Sequence, residues 1–152
     1  LQGNVDAIYF NEKLYIGKRE EVFVYNESTG NFDLFYHLAG KNITLSCLHL
    51  DKNKNLWLGT TSNGIYCLSE DKNLSRPVTK GNITSIYEDS SNELWIGSWE
   101  EGLYRVKTDG SIENLRHNPM NTNSLCSNFV RSCCEDNSGG FMDRNIQRTE
   151  PI

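Results

Sequence analysis

Three histidines and five cysteines are the side chains of this 152-residue chain best suited to proton transfer, nucleophilic attack or metal ligation. None is spaced for that work. His37, His49 and His117 stand alone in separate segments, whereas a catalytic or metal-bound imidazole needs a carboxylate, thiolate or second imidazole held beside it. Structural roles are expected for all three. Cys47, Cys67, Cys126, Cys133 and Cys134 form an odd set with no C-x-x-C pair, so neither a zinc site nor a disulfide framework is indicated. Asp51-Lys52-Asn53-Lys54-Asn55 imitates the start of a calcium loop, but Leu56 occupies the glycine position and Ser62 the place of the bidentate glutamate. A turn is the expected reading, and no catalytic residue, metal ligand or cofactor site is assigned.

Binding chemistry is better represented. Trp99 lies in the polar stretch Ser98-Trp99-Glu100-Glu101, where a flat aromatic next to the Glu100 carboxylate suits stacking under a sugar ring. The same indole could instead cover a neighbouring element. Arg19 and Asn63, in similar polar stretches, could donate hydrogen bonds to the same ligand or simply be solvated. These four residues, Trp99, Arg19, Asn63 and Glu100, are the candidate ligand-binding set.

Composition narrows the partners. With 37% hydrophobic and 11% aromatic residues the chain can build an ordinary core. Its formal charge of -5 comes from acids scattered among lysines and arginines, which leaves no basic stripe for nucleic acid. No stretch reaches the roughly 20 apolar residues of a membrane helix. Leu1 to Phe10 lacks the pattern of a signal peptide, so an export signal or anchor is expected outside this chain.

What must position the candidate residues is a repeat. Ile43-Thr44-Leu45-Ser46 through Asp51 and then Trp57-Leu58-Gly59-Thr60 aligns with Ile83-Thr84-Ser85-Ile86-Tyr87-Glu88-Asp89 and then Trp95-Ile96-Gly97-Ser98. Matching the isoleucines makes Cys47-Leu48 two extra residues in the first unit. Each unit continues to a glycine and a short apolar run, Gly64 to Leu68 and Gly102 to Val106, and the tryptophans are 38 residues apart. A weaker copy, Val5 to Phe10, Leu14 to Gly17 and Val22 to Tyr25, puts Tyr15 in the tryptophan position. A fourth copy opens at Val130 to Asp136.

Every unit consists of short β-branched and aromatic runs between Asn, Asp, Gly and Ser turns, with no helical period. A period near 40 fits a blade of a β-propeller better than a β-helix coil or a helical repeat. The expected fold is all-β, a partial β-propeller of about three and a half four-stranded blades. Blades span 1–40, 41–80 and 81–118, a fourth starts over 119–140, and 141–152 is an aberrant tail. In the third blade, strand A is read as Ile83 to Asp89, B as Leu94 to Ser98, C as Leu103 to Val106 and D as Ile112 to Leu115. The tryptophan should fill space between blades, and the glycine two residues on should allow close backbone approach. The B to C loops, which carry Arg19, Asn63, Trp99 and Glu100, share one face with the segments entering strand A.

Leu94-Trp95-Ile96-Gly97 followed by Gly102-Leu103-Tyr104-Arg105, with the linker His117-Asn118-Pro119, resembles the two-component regulator propeller repeat. The resemblance covers about residues 4 to 140. It implies a non-enzymatic, periplasmic sensor segment of a hybrid two-component system, many members of which detect polysaccharide breakdown products. An oligosaccharide is therefore the implied ligand, signalling through altered geometry passed to a membrane helix. The histidine kinase itself is not among these residues. A propeller lyase or hydrolase, or an interaction scaffold, remains open as an alternative.

After Gly140 the repeat calls for Leu-Trp-Ile-Gly-Thr, yet the chain reads Phe141-Met142-Asp143-Arg144-Asn145. Met followed by Asp must be encoded ATGGA, whose shifted triplet is always the tryptophan codon, and permitted codons for the rest recover the missing motif. A single-base slip near Gly140, truncating a longer propeller, is the expectation. Closed propellers generally use about four to eight blades, so two chains could complete a ring by self-association, the alternative being a monomer with exposed sheet faces.

Overall fold

The computed structural model describes residues 5–10, 12–38, 43–75, 77–135 and 141–143. Thirteen strands and no helix are found among them. Strands β1 (Val5–Phe10), β2 (Lys13–Lys18), β3 (Glu21–Asn26) and β4 (Asn31–His37) form one antiparallel sheet in chain order. Next come β5 (Leu45–Leu50), β6 (Leu56–Thr60) and β7 (Ile65–Leu68), then a four-stranded sheet of β8 (Ile83–Glu88), β9 (Leu94–Ser98), β10 (Leu103–Val106) and β11 (Ile112–Leu115). A last pair joins β12 (Cys133–Glu135) to β13 (Phe141–Asp143). These are consecutive propeller blades, and the third has strands B, C and D at the expected residues.

Blade 2 departs from the four-stranded expectation. Its outer edge is irregular: Ser75 N donates to Cys67 O at 2.8 Å and Val78 N to Ile65 O at 2.9 Å, while Cys67 N donates to the Ser75 hydroxyl at 2.9 Å. Pro77 has no N–H to continue a ladder there. A side-chain oxygen and an isolated bridge between Leu68 and Leu74 take the place of a fourth strand.

Register corrects one detail of the repeat. Leu45 pairs with Thr60 and Cys47 with Gly59, as Ile83 pairs with Ser98 and Ser85 with Gly97, each with a bulge between. Leu45 therefore corresponds to Ile83 at the 38-residue offset that separates the tryptophans, and no two-residue insertion exists. Ile43-Thr44 precedes the strand, so it is not the counterpart of Ile83-Thr84. At the end of the chain Phe141–Asp143 forms a strand paired antiparallel to Cys133–Glu135. The rest of the tail, residues 144–152, lies outside the described residues.

The core lies between blades rather than within them. Ile8, Tyr15, Val22 and Tyr36 of blade 1 pack against Leu48, Leu56, Leu58 and Leu68 of blade 2. Trp57 and Ile65 of blade 2 pack against Ile83, Leu94, Ile96 and Tyr104 of blade 3. Trp95 and Leu103 then meet Leu125 and Val130 ahead of β12. Every residue of β6 and β9 is buried, and each fully buried Leu or Ile contributes on the order of 1.5–3 kcal/mol. The strand-B glycines allow this packing: a Cβ on Gly97 would lie 2.6 Å from Ser85 Oγ and 2.9 Å from Val130 Cγ1, and one on Gly59 would lie 2.9 Å from Ile83 Cγ2.

Candidate functional site

The B to C turns are built by a buried hydroxyl. Thr60 donates through Oγ1 to Gly64 O at 2.7 Å and accepts from Asn63 N at 2.9 Å. Ser98 does the same toward Gly102 O, at 2.9 Å, and Glu101 N, at 2.8 Å. Both hydroxyl residues are fully buried. Gly64 and Gly102 have φ of 73° and 82°, and a Cβ would come within 2.0 Å of Thr79 O or 2.3 Å of Leu115 O. Only glycine closes these turns. The blade 1 turn is shorter, Lys18 pairing directly with Glu21 and Arg19 sitting at φ 54°.

Backbone hydrogen bonds tie the turns to the segments entering their own blade and the next one. Leu45 N donates to Arg19 O at 2.7 Å, Thr61 N to Thr44 O at 2.9 Å, Gly64 N to Gly81 O at 2.9 Å and Trp99 N to Asn82 O at 2.9 Å. Gly102 N reaches Asn128 O at 3.0 Å and Val130 N reaches Ser98 O at 2.9 Å. The result is a continuous belt of loops along one end of the sheets. Arg19, Asn63, Trp99 and Glu100 all lie on it and are all exposed.

They are not one cluster. Trp99 and Glu100 share a turn, and Asn63 adjoins it through its bridge to Gly81. Arg19 belongs to the turn of blade 1, which meets blade 2 at Leu45 and lies a blade further from Trp99 and Glu100 than Asn63 does. Trp99 is 53% exposed, and its ring packs against Phe129 with centroids 4.2 Å apart and planes inclined at 63°, so it partly covers the entry to the next blade and leaves about half of its surface to solvent. Arg116 anchors the turn, its guanidinium donating to Glu101 Oε2 at 2.5 Å and to Glu100 O at 3.3 Å. Phe129 and Arg116 carry no signal in the repeat, since both lie in the linker, where copies diverge.

The histidines have structural surroundings. His117 Nδ1 is 2.6 Å from Leu125 O and its backbone N donates to Asn128 Oδ1 at 2.7 Å. His37 faces Glu20 at 3.6 Å, and His49 faces Glu88 at 3.8 Å across the boundary of blades 2 and 3. Burial lowers the pKa of His49, against the pull of the Glu88 and Asp51 carboxylates. Burial pushes the Cys47 thiol up to about 12 and the Cys67 thiol up to about 11, and β6 runs between them. The calcium-like segment is an A to B turn, in which Asp51 Oδ1 accepts from Asn55 N at 2.8 Å. Among the described residues no group of three His, Cys, Asp or Glu side chains is placed to hold a metal ion.

Compared with known proteins, residues 37–62 and 77–100 match the two component regulator propeller family. No curated protein sequence matches the chain. Among solved structures it resembles the extracellular domain of BT4673 from B. thetaiotaomicron, described as a hybrid two component system, at TM-score 0.74 and 20% identity over 90% of this chain and 19% of that one. The extracellular domain of BT3049 from the same organism, described likewise, gives 0.73 and 24% over 91% of this chain and 18% of that one. This chain thus spans about a fifth of either domain. A catalytically inactive virginiamycin B lyase from Staphylococcus aureus gives 0.72 and 15% over 94% of this chain and 49% of that one. Repeat register and inter-blade packing agree with the match: residues 37–62 and 77–100 carry two-component regulator propeller repeats, and the sheets on either side of them share the propeller fold.

Proposed function

We propose that this chain is part of the extracytoplasmic sensor propeller of a hybrid two-component signalling protein, non-enzymatic, with an oligosaccharide bound at the belt of B to C turns. The observation that carries the reading is the half-exposed indole of Trp99, held by its backbone bond to Asn82 and by Phe129 beside repeats of the two-component regulator family. Location outside the cytoplasm is supported by the extracellular domains it resembles. Glu100, Asn63 and Arg19 extend the surface along the belt. Calorimetric titration with a panel of oligosaccharides tests it. Saturable binding that weakens at least ten-fold in Trp99→Ala, with melting unchanged, is expected; no binding across the panel, or binding indifferent to Trp99, contradicts it.

Self-association belongs to the same proposal. Blade 1 turns Asp6, Ile8, Tyr15 and Gly17 toward blade 2; the opposite face carries the cross-strand row Ala7, Ile16, Phe23 and Leu34. The corresponding rows, Leu48-Leu58-Tyr66 and Ile86-Ile96-Tyr104, are the ones that pack on a preceding blade. On blade 1 nothing covers it among the described residues, and Leu34 is 54% and Tyr9 69% exposed. A second copy is the proposed cover. Sedimentation should show a dimer that Phe23→Glu converts to monomer, and a monomeric wild-type chain contradicts this part.

A further inference from the structure

At the end of the sheets opposite the belt, a cleft of about 300 Å³ opens between blades 1 and 2, its wall including Tyr15, Phe35 and the lysines Lys13, Lys54 and Lys72. The local chain path creates it. The A to B turn of blade 1 has only two residues between β1 and β2, against five in blades 2 and 3, so Lys13 stands where the longer turns place Asn55 and Glu93. Tyr15 takes the seat of the indole. Its ring meets Phe35 edge-to-face at 5.3 Å, and Leu50, Leu56 and Leu68 complete an apolar floor.

Charge distinguishes this cleft from its neighbour. Between blades 2 and 3 the lysines Lys52 and Lys107 are matched by Asp51 and Glu88. Between blades 1 and 2 three lysines face a single carboxylate, Glu70, which lies 3.3 Å from Lys54 with both side chains more than half exposed. Lys72 is turned over the cleft, its Nζ 4.7 Å from the Phe35 ring centroid and donating to Phe35 O at 3.2 Å. Two positive charges over an aromatic and aliphatic floor select a ligand with an anionic group on a ring that has an apolar face.

We propose that this cleft is a second ligand site, taking a saccharide ring that carries a carboxylate or sulfate. The inference rests on the reading of the chain as a saccharide sensor but not on Trp99. Lys13 and Lys72 hold the anionic substituent, and Tyr15 and Phe35 lie under the ring.

The experiment is calorimetric titration of the full chain with a uronic-acid disaccharide, a sulfated disaccharide, an uncharged disaccharide and inorganic sulfate alone. At least one charged disaccharide should bind, the uncharged one and free sulfate at least ten-fold more weakly, and the two charged arms show which substituent is preferred. Lys13→Gln and Lys72→Gln should each weaken binding about ten-fold without changing the melting temperature, whereas Trp99→Ala should leave it unchanged. No binding of either charged disaccharide, equal binding of the uncharged one or of free sulfate, or indifference to both lysine substitutions would overturn the proposal. Uncharged oligosaccharide binding that depends on Trp99 would still support the belt, so the two readings fail separately.

Discussion

The Asp89 carboxylate accepts a 2.8 Å hydrogen bond from the Trp95 indole Nε1, and in doing so joins the turn that ends strand A to the ring that fills the space between blades. Its other oxygen caps the turn, accepting from Ser91 N and Glu93 N at 2.9 Å. Blade 2 repeats the arrangement, with Asp51 Oδ2 2.8 Å from Trp57 Nε1. In each of these two blades one aspartate thus satisfies a donor that burial would otherwise leave without a partner.

Asp51 is 4% exposed, and Asp51→Ala removes the acceptor for both the indole and Asn55 N. A loss of about 2–3 kcal/mol is expected, read as a lower urea midpoint with an unchanged slope. Asp51→Asn keeps one acceptor and should cost less.

Gly97→Ala sets a methyl group against Ser85 Oγ at 2.6 Å and Val130 Cγ1 at 2.9 Å, where two blades meet. About 1–3 kcal/mol of destabilisation is expected from overpacking. Gly110→Ala is the comparison: its Cβ has open space and only the positive φ of 82° to bear, so about 1–2 kcal/mol should be lost. Chemical denaturation of the two variants separates packing from backbone strain.

Much of this was legible in the residues. The repeat exposed the strands because blades 2 and 3 bury strand B on both faces, leaving Leu-Trp-Leu-Gly and Leu-Trp-Ile-Gly as the least variable words. The strand limits of blade 3 follow from glycines and turn residues that the backbone requires. Two things were hidden. Aligning on the similar Ile-Thr pairs concealed the true register, because Leu45 and Ile83 fill the same place with different words. The cleft beside Tyr15 was hidden too, since Lys13, Lys54 and Lys72 come together only through the packing of two blades.

His49 gives the fold a pH dependence of defined sign. Burial lowers its folded pKa below the ordinary 6.5, with Glu88 and Asp51 opposing, so the unfolded chain binds the proton more readily. The stability it contributes is full above the ordinary value of about 6.5. It is lost as pH falls from there through the lowered folded value. His49→Gln should flatten the denaturation midpoint across that window, and an unchanged slope would count against the assignment.

Met142 stands opposite Cys134 in the β12–β13 pair, as Trp95 stands opposite Tyr87. In the strand register Met142 thus holds the position of the tryptophan, and its codon, read one base later with the following aspartate, gives tryptophan. We propose a single-base slip near Gly140. Sequencing the encoding DNA should recover the blade motif in the shifted frame; codons that cannot yield it would dismiss the idea.

The most direct test of the repeat account is amide-type hydrogen exchange at the three indoles, followed in a nitrogen–proton correlation spectrum and assigned by Trp57→Phe and Trp95→Phe. The indole protons of Trp57 and Trp95, each bonded to an aspartate between blades, should exchange slowly and together, while that of Trp99 exchanges fast. Fast exchange at Trp57 and Trp95, or widely different protection of the two, would contradict a common seat in successive blades.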